Sequence, residues 1–164
     1  MSDATQRLDH GVFGNGRVLG LVSPTSAIEW LCMPRFDSPS VYARLLDAER
    51  GGVFRVLRGG REVRGDIAYF ANTNVLRTRF TGDDGTYDVI DFAPRIARGI
   101  TVDAAIEAVR LVRPVAGNPR VSFDFDPRPD YGSIKPTLVP SGASVEVLGG
   151  TVPMHLSTNL PLAY

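Results

Sequence analysis

The sequence holds one cysteine, one tryptophan and two histidines in 164 residues. A single cysteine excludes an internal disulfide, and together with two histidines it excludes a Cys/His zinc site. There is no charge excess, since 18 basic and 18 acidic side chains cancel. That removes the basic stripe a nucleic-acid partner requires and the electrostatic pull towards an anionic membrane. No apolar run reaches the roughly 20 residues of a membrane-crossing helix. The start, MSDATQRLDHG, has no apolar core region, so no secretory signal is legible and a cytoplasmic location is expected. Nothing points to a cofactor or a metal ion.

What is abundant is punctuation. Seventeen glycines and 12 prolines stand in no fixed repeat. They separate short alternating runs, the pattern of many strands joined by turns. Expected strands are Arg17–Val22, Ala27–Cys32, Val53–Leu57, Asn74–Thr81, Tyr87–Ala93, Arg120–Asp126, Ala143–Leu148 and Thr151–Leu156. Weaker extended runs are expected at Arg61–Phe70 and Ala108–Arg113. Residues 1–9 read as a polar lead-in. Asn15-Gly16 and Gly82-Asp83-Asp84-Gly85 are hairpin signals. Ser38-Pro39, followed by Val41, Tyr42, Leu45 and Leu46 at helical spacing, predicts one short helix near residues 39–47, stopped by Gly51-Gly52. The fold class is all-β, an antiparallel β-sandwich or barrel, as a single domain over residues 1–164. The apolar end, Leu160 to Tyr164, suggests that the chain stops inside a larger protein.

Most chemistry-bearing patterns have a plainer explanation. Gly14, Gly16 and Gly20 miss the dinucleotide spacing and precede a strand, whereas a phosphate cradle needs a helix N-terminus. Asp124, Asp126 and Asp130 lack the remaining oxygen ligands of a calcium loop. Asp83, Asp84, Asp88 and Asp91 crowd one hairpin at a spacing a glycosidase pair could use, but turn formation explains the first two. Ser38 has no nucleophile elbow around it. Cys32 sits in an apolar run, where a thiol packs as a small hydrophobe. His10 and His155 are isolated.

One stretch resists the plain reading. Between Gly14 and Gly52, Trp30 is followed by Met33-Pro34-Arg35-Phe36-Asp37-Ser38-Pro39. Arg35 and Asp37 either pair to fix the loop or face outward as a fork and a carboxylate beside Trp30 and Phe36. Planar polar groups with aromatic rings are the means by which sugars are held.

These residues carry a family resemblance. Gly14-Asn15-Gly16-Arg17, Ile28-Glu29-Trp30-Leu31-Cys32, Pro34-Arg35-Phe36-Asp37-Ser38-Pro39-Ser40 and Leu45-Leu46-Asp47 resemble the N-terminal domain of bacterial trehalases and glucoamylase-like enzymes of glycoside hydrolase family 15. The likeness continues through Gly51-Gly52, Thr73-Asn74-Val75-Leu76, Asp91-Phe92-Ala93-Pro94 and Pro127-Arg128-Pro129-Asp130-Tyr131-Gly132. Thr101–Val112 is its loosest part. The resemblance implies a super-sandwich cut before its last strands, with Leu156–Tyr164 as an internal strand. It also implies a C-terminal (α/α)6 barrel, absent here, that carries both catalytic glutamates of an inverting α-glucoside hydrolase. None of Glu29, Glu49, Glu62, Glu107 and Glu146 takes those roles. Trp30, Arg35, Phe36 and Asp37 become candidates for contacts to an α-glucoside sugar or to the barrel. The expected role is non-catalytic, stabilising that barrel and lining its pocket. The alternatives are an autonomous carbohydrate-binding module or a purely structural interaction domain. Missing strands would leave an open edge through which copies could pair.

Overall fold

The computed structural model describes residues 9–162. The predicted polar lead-in lies outside them except for Asp9. Described residues form 15 strands and no helix. Among the described residues, consequently, no helix is long and apolar enough to cross a membrane. In chain order the strands are β1 (Gly11–Gly14), β2 (Leu19–Val22), β3 (Ile28–Cys32), β4 (Ser40–Tyr42), β5 (Val53–Arg58), β6 (Asp66–Tyr69), β7 (Leu76–Gly82) and β8 (Gly85–Phe92). There follow β9 (Arg95–Arg98), β10 (Thr101–Ala104), β11 (Val109–Gly117), β12 (Val121–Asp126), β13 (Thr137–Ser141), β14 (Ser144–Leu148) and β15 (Met154–Ser157).

The larger sheet runs β1-β2-β3-β5-β12, with β4 added beside β3, and the second runs β11-β8-β7-β6. Every pairing is antiparallel, and β13-β14-β15 and β9-β10 form two smaller sheets. This is the expected antiparallel sandwich. Alternation decides its core. Phe13, Val22 and Ile28 of the first sheet meet Leu76 of the second, all at most 2% exposed. Gly11 permits that approach, because a Cβ there would lie 2.5 Å from Leu76. A second cluster joins Val56 to Phe80, Tyr87 and Val89, with Phe80 stacked on Tyr87 at 5.0 Å.

The helix expected near residues 39–47 does not form. Ser40–Tyr42 pairs with β3 instead, with Leu31 opposite Tyr42 and Cys32 opposite Ser40. All three residues of β4 are buried, and Tyr42 sets its ring edge-on to Phe125 at 6.5 Å. A helix would have buried only one stripe, and Leu46, on that stripe, is 71% exposed. The chain then makes two turns, closed by Ala43 N donating to Gly51 O at 2.7 Å. Gly51 is required there, since a Cβ would lie 2.3 Å from the Ala43 carbonyl carbon. The expected strand over Leu156–Tyr164 does not form within the described residues: β15 ends at Ser157 and residues 158–162 are irregular, with Ala163 and Tyr164 outside the described residues.

Two of the hairpin acids, Asp88 and Asp91, turn out to be buried, fold-holding groups. Asp88 is fully buried between two arginines on neighbouring strands. Arg79 Nε donates to it at 2.7 Å and Arg113 Nη2 at 2.8 Å. The Arg79 hydrogen bond, opposed by burial and aided by Arg113, holds its carboxyl at about 2. A lowered folded-state value stabilises the fold fully above the unfolded carboxyl range, near 3.9, and the benefit disappears as pH falls towards 2. Asp88→Asn should therefore be less stable than the parent at pH 6, and the gap should close between about pH 4 and 2. Urea unfolding across that range checks this; a gap independent of pH would contradict it.

Candidate functional site

The Trp30 environment begins with a register shift. Leu21 pairs with Trp30 but Val22 pairs with Ile28, which leaves Glu29 as an extra residue in β3. A bulge reverses which face each later side chain meets. Ile28 and Leu31 both reach the core, at 2% and 4% exposure, while Trp30 is half-buried. Simple alternation would have put Ile28 and Trp30 on one face. Glu29 itself is drawn into a polar cluster, 2.9 Å from His10 Nε2 and 3.9 Å from Arg44 Nε.

Beyond Cys32 the chain turns through a cis Met33–Pro34 bond into the Arg35–Pro39 loop. Arg35 Nε donates to Asp37 Oδ1 at 2.8 Å and Nη2 to Oδ2 at 2.9 Å, a two-pronged pairing. Each raises the other's preference for charge: the hydrogen bond lowers the Asp37 carboxyl and raises the Arg35 guanidinium. Arg35 N also donates to Ser38 Oγ at 3.2 Å. The pair is closed on itself and also exposed. It fixes its own loop, and it faces outward, with side chains 65% and 52% exposed. Such an exposed pair adds little stability, so its placement is open to another use. Phe36, 56% exposed, sits at the tip between them.

A residue that sequence reasoning quoted only within a motif completes this surface. Tyr131 lies with its ring centroid 6.1 Å from that of Trp30, tilted by 39°. Its loop is pinned along β4, Arg128 N donating to Val41 O at 2.9 Å and Tyr131 N to Ser40 O at 3.3 Å. Asp130, Tyr131 and Gly132 are consecutively left-handed, at φ 57°, 57° and 83°. The backbone cost at a non-glycine residue in this region is on the order of 1 kcal/mol or more, and tyrosine has no local side-chain bond to relieve it. The strain holds Tyr131 out, 55% exposed, beside Trp30. The signal available in sequence was Asp130-Tyr131-Gly132 after two prolines, a turn without an obvious owner for the ring.

Cys32 adjoins this surface as a thiol. Burial pushes it up, with partial opposition from Trp30, and it is 3% exposed. The remaining carboxylates do not gather there. Asp91 is held by Arg110, Asp124 by Arg55, Asp126 by Arg128, Asp84 by Arg58 and Glu62 by Arg44 and Arg55. Asp130 accepts from Ser133 Oγ at 3.0 Å. No group of three His, Cys, Asp or Glu able to hold a metal ion occurs among the described residues.

The fold and these features define an antiparallel sandwich domain with a Trp30–Tyr131 ring contact on β3 and an exposed arginine–carboxylate pair in the loop that follows it. The family described as trehalase-like, N-terminal, matches residues 2–159, and the chain belongs to it. Among curated relatives, it is similar to a trehalase of Thermoplasma volcanium, 32% identical over 79% of this chain and 21% of that protein. It is likewise similar to trehalase 1 of Sulfolobus acidocaldarius, 34% identical over 78% of this chain and 20% of that protein. A trehalase of Mycolicibacterium smegmatis is 31% identical over 82% of this chain and 22% of its own length. The chain thus spans about a fifth of the relatives it matches. No solved structure matches it.

Proposed function

We propose that this chain is a non-catalytic domain of a trehalase-type glycoside hydrolase, and that its Trp30–Tyr131 surface completes the wall of that enzyme's sugar pocket. The observation that carries the reading is the strained Asp130-Tyr131-Gly132 turn, with an exposed tyrosine against Trp30, on the strand that leads into the Arg35–Asp37 loop. The exposed face of an aromatic ring offers the apolar surface that the ring hydrogens of a pyranose cover, and the tyrosine hydroxyl and the guanidinium supply donors for its hydroxyls. The relatives named trehalase make trehalose the substrate of first choice. Hydrolysis of its bond requires an acid and a base flanking the glycosidic oxygen. Asp88, held near 2 as a carboxylate, is unsuited to be the acid. Asp84, Asp91, Asp124, Asp126 and Glu62 are likewise tied to arginines, and on this reading the catalytic pair belongs to the remaining four-fifths of such an enzyme.

In the full-length enzyme, Tyr131→Ala and Trp30→Ala should each raise the KM for trehalose about tenfold, the scale of one lost stacking contact. Steady-state kinetics check this. Unchanged kcat/KM in both variants would remove the surface from the pocket and leave it a purely structural contact.

A further inference from the structure

Among the described residues, the hairpin of β9 and β10 pairs with no other strand. Its register sets Ile96 opposite Asp103 and Val102 opposite Ala97, so Ile96 and Val102 stand on opposite faces of the ribbon. They are 53% and 51% exposed, and Ile100 at the turn is fully exposed. A ribbon laid on a core needs only one apolar face, and a free two-stranded hairpin is marginally stable in water. This one is nevertheless firmly rooted. Asn15, 2% exposed, donates from Nδ2 to Pro94 O and to Ala105 O, each at 2.8 Å, gripping both legs. Arg95 Nη1 returns a bond to Asn15 O at 2.7 Å.

The root lies at the same end of the sandwich as the candidate site. Gly14, next to Asn15, pairs with Leu19, Leu19 with Cys32, and Cys32 with Ser40, whose carbonyl accepts from Tyr131. The arm and the Trp30–Tyr131 pair therefore rise from the same end of the first sheet.

We infer that the Arg95–Ala104 hairpin is a docking arm, enclosed on both faces by the catalytic part of the enzyme. The inference rests on the reading above that the chain is one domain of a longer hydrolase. The occupant is chosen by two observations: the relatives carry about four-fifths of their length beyond the matched region, and the arm shares its end of the fold with the surface assigned to the pocket. A rooted arm with Ile96 on one face and Val102 on the other fixes the angle at which the two parts meet.

The test is hydrogen exchange of the amides of residues 95–104, in this chain alone and in the full-length enzyme. Exchange should be roughly tenfold slower, or more, in the full-length protein. Ile100→Asp and Val102→Asp should leave the melting of this chain unchanged, because both side chains are exposed in it, and should lower that of the full-length enzyme. Equal exchange in the two proteins would overturn the inference. So would sedimentation of this chain as a dimer that Ile100→Asp dissociates, which would give the arm to a second copy. Protection of the arm together with an unchanged KM in the Tyr131 and Trp30 variants would sustain the docking and refute only the pocket.

Discussion

Arg110→Ala is expected to be the most damaging single truncation in the fold, costing about 3–5 kcal/mol. Arg110 and Asp91 are 3% and 1% exposed and joined by two hydrogen bonds, at 2.7 and 3.1 Å. The guanidinium also donates to Phe54 O at 2.7 Å and lies 4.9 Å from the centre of the Phe54 ring. Since Arg110 belongs to the four-stranded sheet and Phe54 to the six-stranded one, this one side chain ties the two layers together. Alanine would strand a buried carboxylate and a carbonyl and leave a void. For a domain of this length the loss corresponds to a melting temperature lower by roughly 6–20 °C. The burial of the charge, more than the loss of attraction, sets the size of the effect. Arg110→Met combined with Asp91→Leu should therefore recover most of the stability, since a packed apolar pair replaces a buried ion pair at little cost. Thermal melts of the three proteins decide it. A shift under about 2 °C in the single variant would show that the pair does not join the sheets.

Asn15→Ala should come second, at about 2–4 kcal/mol. Its Oδ1 accepts from Arg17 N at 2.9 Å and Val18 N at 3.1 Å, while its amide holds Pro94 O and Ala105 O. Alanine leaves four backbone groups without their partner at a buried position. The local signature matters more than the total: amides of Thr101–Ala104 should exchange faster in the variant, ahead of those in β7 and β8. Asn15→Asp separates the two halves of the role. It keeps the acceptor for Arg17 and Val18 and loses the donor to the arm. Arm exchange rising in Asn15→Asp while the β1–β2 turn stays protected is the expected result. Uniform loss across the chain would mean that Asn15 supports the sandwich and not the arm in particular.

Period-two patterning and glycine turns were enough to read most of the two main sheets, because each strand there has one face on a core. Asn15-Gly16 was legible as a turn, and Gly16 is left-handed at φ 85°. Its second role was not legible, since the carbonyls it grips lie 79 and 90 residues away. Val41, Tyr42, Leu45 and Leu46 matched helical spacing, yet Arg128 N bonding to Val41 O and the pairing with β3 favoured a strand. Such tertiary partners override local preference and leave no trace within the segment. The bulge at Glu29 was equally silent, and it alone turns Trp30 away from the core. Arg35 and Asp37 could be picked out by type and spacing. Tyr131 could be quoted within its motif but not assigned, because what distinguishes it is backbone conformation. The β9–β10 arm escaped because it has no buried face to impose alternation.

The most direct test is an assay of this chain, purified alone, for glucose release from trehalose. A domain that lines a pocket without supplying its acid and base should give no turnover at any pH from 4 to 8, the range in which glycosidic acid pairs work. Sustained hydrolysis, abolished by substituting a single aspartate or glutamate within the chain, would contradict the account.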